Sequence, residues 1–247
     1  MKGELIMRRL GRFFVVAVLA GLVVLTIPMA VLASTFGIEI LGPGGYSQTV
    51  FDNGAGDSNP LTNQMTIIAG VGIPAIPGFN LSVDTVFTNT PGGPGTPILD
   101  ITYSLFSSGT AGGTVTVIAG STGFTLPAAG SPSVLISKIG GTLDGTGSVT
   151  AQQWVNLGNG FLGLGPITPG LQGPFTTPTF SNTATIGFIS ITPYSMTDEL
   201  NLTLGANSSV TGDLSSTTTV PEPISLILLG SGLAGAGLYR RLRKPKG

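Results

Sequence analysis

The 247-residue chain contains neither cysteine nor histidine, and this absence limits the chemistry open to it. Without cysteine there is no disulfide framework and no thiolate metal site. Without either residue, Ser-His-Asp and Cys-His catalysis and nearly all zinc sites are excluded. The fold must therefore be stabilised by burial and backbone pairing, and most hydrolase mechanisms are ruled out.

Basic residues are almost absent from the middle of the chain. Nine of the ten Lys and Arg residues lie in the first twelve or the last eight positions, and Lys138 is the only base between Ser34 and Thr219. The same region has nine Asp and Glu residues, so its net charge is −8. Because nucleic-acid binding depends on Lys and Arg that displace counterions, we expect no nucleic-acid partner. A Ser-Lys dyad would require Lys138, which the pattern places on the outer side of a strand.

The acidic residues do not form a recognisable catalytic or metal-binding set. Asp198 and Glu199 are the one adjacent pair, and neighbours on a strand point to opposite faces, so we expect a solvated strand entry there. Glycoside hydrolysis needs two carboxylates at a defined separation, and two side chains on opposite faces of a strand do not provide such a pair. The oxygen-rich segment from Asp52 to Asn59 lacks the spacing of a calcium loop and predicts a turn. We therefore expect no cofactor, no metal and no enzymatic activity.

The N-terminus has the features of a signal peptide. A basic start precedes an uncharged run from Phe13 to Ala33, which contains Pro28 and ends in small residues. This pattern predicts a signal peptide over residues 1–33, with cleavage between Ala33 and Ser34. The alternative is a retained transmembrane helix, because 21 residues at a rise of about 1.5 Å would cross a hydrocarbon layer of about 30 Å.

The C-terminus is a second three-part segment. Pro221-Glu222-Pro223 precedes an apolar run over residues 224–239, and the chain ends in a basic cluster that contains Arg240, Arg241, Arg243 and Lys244. The run predicts a short transmembrane helix of about 24 Å, provided that the first arginines extend to the headgroups. Because Lys and Arg concentrate on the cytoplasmic side, the preceding domain is expected outside the membrane.

Together, the triplet, the apolar helix with its Leu-Gly-Ser-Gly-Leu-Ala-Gly centre and the basic end resemble the PEP-CTERM sorting signal. The resemblance implies recognition by exosortase, a membrane transpeptidase-like cysteine protease of bacteria that make extracellular polysaccharide. It also implies processing near Pro-Glu-Pro, from an inner-membrane-anchored precursor to a form at the cell surface or in the extracellular matrix. The alternative is an ordinary single-pass anchor, which needs the apolar run and the basic end but not the triplet.

Between the two ends, apolar residues recur with a period of two, which is typical of half-buried strands. Alternation over Phe79–Phe87, with all its odd-numbered residues on one face, and over Leu99–Leu105 predicts two neighbouring strands. Further candidates are Gln64–Ala69, Gly113–Ala119, Ser133–Ile139, Ser148–Val155, Thr183–Thr192 and Glu199–Leu204. The sequence therefore predicts an all-β domain over residues 34–214, an antiparallel sandwich that is jelly-roll-like or immunoglobulin-like. A signal helix precedes it, and a sorting tail over residues 215–247 follows it.

Two features bear on what this domain does. The Gly-rich segment from Asn156 to Thr179 predicts a long loop, which is either a binding loop or an irregular crossing between sheets. Trp154 is the best candidate for a glycan contact, although a lone Trp in a domain of this size is more often in the core. We expect a non-catalytic structural or adhesive domain near extracellular polysaccharide. A carbohydrate-binding module is the alternative, and an extracellular glycoside hydrolase ranks third.

Overall fold

The computed structural model describes residues 35–88, 96–108 and 112–221. The predicted signal peptide with its cleavage site, the apolar segment 224–239 and the basic end lie outside the described residues. Those three stretches contain no helix whose length and apolar composition would let it span a bilayer. Their helical content is a single 3-10 turn, Pro43–Gly45.

The described residues form thirteen strands that build two sheets. In chain order they are β1 (Phe36–Gly42), β2 (Tyr46–Phe51), β3 (Gln64–Ala69), β4 (Gly72–Ile73), β5 (Phe79–Thr88), β6 (Ile98–Ser107), β7 (Gly113–Phe124), β8 (Pro132–Asp144), β9 (Gly147–Asn156), β10 (Gln172–Phe175), β11 (Thr179–Ile189), β12 (Tyr194–Leu204) and β13 (Ser209–Thr219). The first sheet has the order β10-β9-β12-β7-β1-β2, and the second has the order β11-β8-β13-β6-β5-β3-β4. All pairs of neighbours are antiparallel except β3 and β4, which are parallel.

The core lies between the two sheets, and strand alternation explains its composition. In β6, Leu99, Ile101, Tyr103 and Leu105 are buried, whereas the residues between them are partly exposed. The facing sheet supplies a similar row from β12, in which Leu200, Leu202 and Leu204 are buried. Because every second side chain points inward, each strand adds an apolar row to one continuous core. The predicted all-β sandwich is confirmed.

Each of the eight predicted strands is present, and β5 and β6 are antiparallel neighbours as expected. In β5, the backbone register shifts between Val83 and Thr85, after which Phe87 is opposite Asp100. The shared face predicted for this strand stays a prediction.

Five strands were not predicted: β1, β2, β4, β10 and β13. The last one changes the domain boundary. Because β13 continues to Thr219, the Ser/Thr-rich residues 215–219, which we assigned to the tail, pair with β6 and β8 as part of the second sheet.

Candidate functional site

A cluster of five polar side chains occupies the middle of the sandwich. Its members, which we call the polar centre, lie on five different strands and are each at most 3% exposed: Ser137, Gln153, Gln172, Asp198 and Ser216. Backbone pairing brings them together. Asp198 of β12 is directly opposite Gln153 of β9, and Ser216 of β13 is directly opposite Ser137 of β8. Each sheet therefore contributes a polar pair to the core.

Hydrogen bonds across the core join these two pairs. Ser216 Oγ donates to Asp198 Oδ1 at 2.5 Å. Ser137 Oγ donates to Gln153 Oε1, and Gln172 Nε2 donates both to Ser137 Oγ and, at 3.0 Å, to Gln153 Oε1. Buried polar groups of this kind connect the sheets in one register, because a slip would leave several of them unpaired.

Three atoms of the polar centre lack a hydrogen-bond partner among the described residues: Asp198 Oδ2, Gln153 Nε2 and Gln172 Oε1. Burial raises the pKa of Asp198 well above its usual value, the hydrogen bond from Ser216 opposes this rise, and the charge of Asp100 adds to it. The environment therefore favours the neutral acid form of Asp198. All three atoms are closed to solvent, so the polar centre in this conformation offers no surface to a substrate.

The structure corrects the expectation for Asp198 and Glu199. The two side chains do point to opposite faces, since Asp198 is fully buried whereas Glu199 is partly exposed and accepts from Asn201 Nδ2 at 2.8 Å. However, Asp198 lies in the middle of β12 and not at a solvated strand entry. The signal was present in the sequence, because Asp198 occupies the same alternation as Met196 and Leu200, both of which are buried.

Lys138 lies where the sequence predicted it, on the outer side of β8. Its side chain is exposed, whereas the neighbouring Ser137 points into the polar centre. Adjacent residues of a strand face opposite sides of the sheet, so these two residues do not form a Ser-Lys dyad.

The acidic segment from Asp52 to Asn59 forms a turn whose carboxylates hold the backbone. Asp57 Oδ1 accepts from the backbone N–H of Asn59 at 2.9 Å. Asp52 Oδ2 accepts from the backbone N–H of Asn63 at 2.9 Å. Short polar side chains that bond to nearby backbone groups are typical of turns, and the predicted turn is confirmed.

The predicted long loop packs against the first sheet. We call residues 157–171 the strap. Asn159 Oδ1 accepts from the backbone N–H of Gly123 at 2.6 Å, Ser195 Oγ donates to the carbonyl of Gly160 at 2.8 Å, and Thr197 Oγ1 donates to the carbonyl of Gly163 at 3.2 Å. The strap therefore covers part of the outer face of β7 and β12. Strand β10 follows it, so the predicted loop also contains a short strand.

Trp154 lies on this covered face. Its neighbours Gln153 and Val155 point into the core, so its ring is on the outer side of β9, where it is 8% exposed. Trp154 is paired with Thr197, whose hydroxyl bonds to the strap. A ring buried to this extent presents little surface for stacking on a sugar. The glycan contact at Trp154 stays a prediction.

The tail begins where the sandwich ends. Strand β13 ends at Thr219, and the exposed Pro221 is the last described residue, so Glu222 and Pro223 lie outside the described residues. The molecule is thus a β-sandwich protein with a C-terminal sorting segment. Residues 219–244 match the family model of the PEP-CTERM protein-sorting motif, and the chain is a PEP-CTERM protein. The motif implies export, association of the precursor with a membrane, and processing by exosortase.

No curated protein matches the chain in sequence. Among solved structures, similarity is found to the enzymatically active domain of tailspike protein 4 from bacteriophage CBA120, at 8% identity and a TM-score of 0.27 over 57% of this chain and 19% of that one. Similarity is also found to the adhesin domain of Epf from Streptococcus pyogenes, at 9% identity and a TM-score of 0.34 over 74% of this chain and 57% of that one. A mannan-recognising carbohydrate-binding module, TmCBM27, has 10% identity and a TM-score of 0.27 over 64% of this chain and 90% of that one. The chain thus spans about a fifth of the tailspike protein chain and just over half of the adhesin chain. Such distant similarities say nothing about activity.

Proposed function

We propose that an exosortase-type system delivers this protein to the cell surface or extracellular matrix, where the sandwich has a non-catalytic structural or adhesive role beside extracellular polysaccharide. The observation that carries the proposal is the sorting motif at residues 219–244. It begins at Thr219, the last residue of β13, so the sorting segment follows directly on the folded domain.

The position of Pro221 supports processing next to the sandwich. Pro221 is exposed and comes two residues after the end of β13. Proline fixes its own φ near −65°, and it disfavours helical geometry in the residue before it. From the sequence, we therefore expect the two prolines of the triplet to favour an extended chain between the domain and the apolar segment. An extended peptide is the form in which a protease binds its substrate backbone.

The distribution of reactive groups supports a non-catalytic role. The chain has no His and no Cys, and its one mid-chain Lys is exposed and directed away from Ser137. Asp198, whose pKa is raised well above its usual value by burial, is closed to solvent. A catalytic acid or base must be within hydrogen-bond reach of its substrate, and Asp198 does not meet this condition in the folded sandwich.

Fractionation of the native host with and without its exosortase tests the proposal. We expect the full chain to be processed and recovered in the surface or matrix fraction of the complete host, and to accumulate unprocessed in the membrane fraction of the host that lacks the enzyme. The same distribution in both strains would contradict exosortase sorting. Specific glycan binding by the processed protein that Trp154→Ala abolishes and Trp154→Phe retains would favour a carbohydrate-binding module, and polysaccharide turnover would favour an enzyme.

A further inference from the structure

The second sheet ends in a long strand with a free edge. Strand β11 pairs with β8 along its whole length, from Thr179 opposite Thr142 to Ile189 opposite Pro132, without a register shift. In the described part of the chain, no strand pairs with the other side of β11. Likewise, no further backbone hydrogen bond joins residues 180–189 to another described segment. The free edge of β11 therefore presents a row of backbone donors and acceptors to solvent.

The other three sheet edges of the described sandwich are shorter or interrupted. Strand β10 has four residues, a proline and a register shift, and β4 has two residues. Strand β2 has six residues. Strand β11, in contrast, has eleven residues without a charge or a proline. Natural proteins protect long edges with charges, prolines or bulges, and β11 has none of these protections.

A strand added beside β11 would bury apolar side chains that are now partly exposed. On the inner face, Ala184 and Ile186 are only partly buried although Ile186 packs against the core. At the end of the strand, Ile189 is 56% exposed. A strand added beside β11 would remove part of this apolar surface from water, in addition to pairing the backbone.

Charge indicates which partner fits this edge. The region from Ser34 to Thr219 has a net charge of −8, so two copies of the domain repel each other over most of their surfaces. None of its acidic residues lies on β11, and the base Lys138 is opposite Thr183 on the neighbouring strand. Two copies that meet at β11 therefore bring no carboxylates of this strand together.

The outer face of β11 is also self-complementary. It exposes Ser181, Thr183 and Thr185. This protein already pairs threonines across its strands, because the hydroxyls of Thr114 and Thr203 are 2.8 Å apart and those of Thr142 and Thr211 are 2.9 Å apart. An antiparallel copy of β11 would place hydroxyl side chains opposite hydroxyl side chains in the same way.

From these observations we propose that two copies of the protein associate through β11, antiparallel across a two-fold axis, so that their second sheets form one continuous sheet. The same edge then serves on both copies, which is the symmetry of a closed dimer. This inference rests on the proposed structural role and gives it a partner, a second copy of the chain.

Disulfide trapping in the full chain tests the pairing, because the natural sequence has no cysteine to interfere. Single substitutions Ser181→Cys, Thr183→Cys and Thr185→Cys place a thiol on the exposed face of β11. The matched control is Thr49→Cys, at an exposed position of the edge strand β2 in the other sheet. After oxidation on cells, we expect a disulfide-linked dimer for at least one of the three β11 variants and none for the control. Dimer yields at β11 no higher than at the control would overturn the proposal.

A charge substitution provides a second, independent measurement. Thr185→Lys places like charges on the two paired edges, and we expect it to weaken dimerisation of the full chain in detergent by about tenfold or more in dissociation constant. Thr49→Lys should leave the constant unchanged, and both variants should keep the wild-type melting temperature. Equal dimerisation in both variants would contradict pairing through β11. If the protein reaches the surface or matrix fraction but does not form dimers, only the pairing through β11 is contradicted. If it forms dimers but does not reach that fraction, the proposed function is contradicted.

Discussion

The buried carboxyl of Asp198 predicts an unusual dependence of stability on pH. Burial raises the pKa of Asp198 in the folded protein, so the folded state retains a proton that the unfolded chain releases above a pH of about 4. The folded state thus binds more protons than the unfolded state between these two pKa values. The contribution of Asp198 to the free energy of unfolding is therefore largest at low pH and is lost as the pH rises from about 4 towards the pKa of the folded state.

The expected slope follows from one proton. A difference of one bound proton changes the free energy of unfolding by about 1.4 kcal/mol per pH unit. In a domain of this size, each kcal/mol shifts the melting temperature by about 2–4 °C, so the melting temperature should fall by about 3–6 °C per pH unit. Asp198→Asn has nearly the same shape, keeps a carbonyl oxygen for the hydrogen bond from Ser216 and does not titrate, so it should lack this slope.

Thermal unfolding followed by circular dichroism between pH 4.5 and 8 measures the effect as the difference between the wild type and Asp198→Asn. Asp100 needs its own control, because burial and the charge of Asp213 raise its pKa as well and it adds a slope of the same sign. We expect Asp100→Asn to remove a smaller part of the slope, since Asp100 is partly exposed. If the melting temperatures of the wild type and Asp198→Asn change with pH by the same amount, the reasoning is refuted.

Three further predictions concern packing, processing and metal. Gly141→Ala should lower the free energy of unfolding by about 1–3 kcal/mol in chemical unfolding, because the new methyl group would collide with the carbonyl of Thr211. The matched control is Gly140→Ala, whose methyl group would have no atom nearer than 3.6 Å. It should change the free energy of unfolding by less than about 0.5 kcal/mol. Pro221→Ala combined with Pro223→Ala should leave membrane insertion intact and make full-length precursor accumulate in a host with the cognate enzyme, as seen on immunoblots; processing at the wild-type rate would support a simple anchor. A calcium chelator should leave the melting temperature unchanged, and a loss of several degrees would reveal a metal in the acidic turn after β2.

The sequence predicted most strands because their inward residues are apolar and alternate. Strand β13 was missed since two of its inward positions are Ser216 and Thr218, which are polar yet buried. In β1, Ile38 and Ile40 do alternate with Gly37 and Glu39, but no strand was predicted directly after the signal peptide. Periodicity therefore fails where the buried positions of a strand carry hydroxyls, as in β13, whereas β1 was missed although its alternation is present in the sequence.

The polar centre as a whole could not be predicted for a different reason. Alternation could have indicated that Asp198 points inward, but the five residues meet only because strands from both sheets converge. The free edge of β11 likewise depends on strand order, which single-strand patterns do not encode. The sorting tail, in contrast, is local in sequence: its triplet, apolar run and basic end are contiguous, and the family match at residues 219–244 confirms that prediction.

The intact mass of the protein recovered from its native host tests export and processing most directly. The account predicts a chain that begins at Ser34, after signal-peptide cleavage, and that ends near Pro221-Glu222-Pro223, without the apolar and basic segments of the tail. A recovered chain that begins at Met1, or one that retains residues 224–247 in a host with an active exosortase, would contradict it.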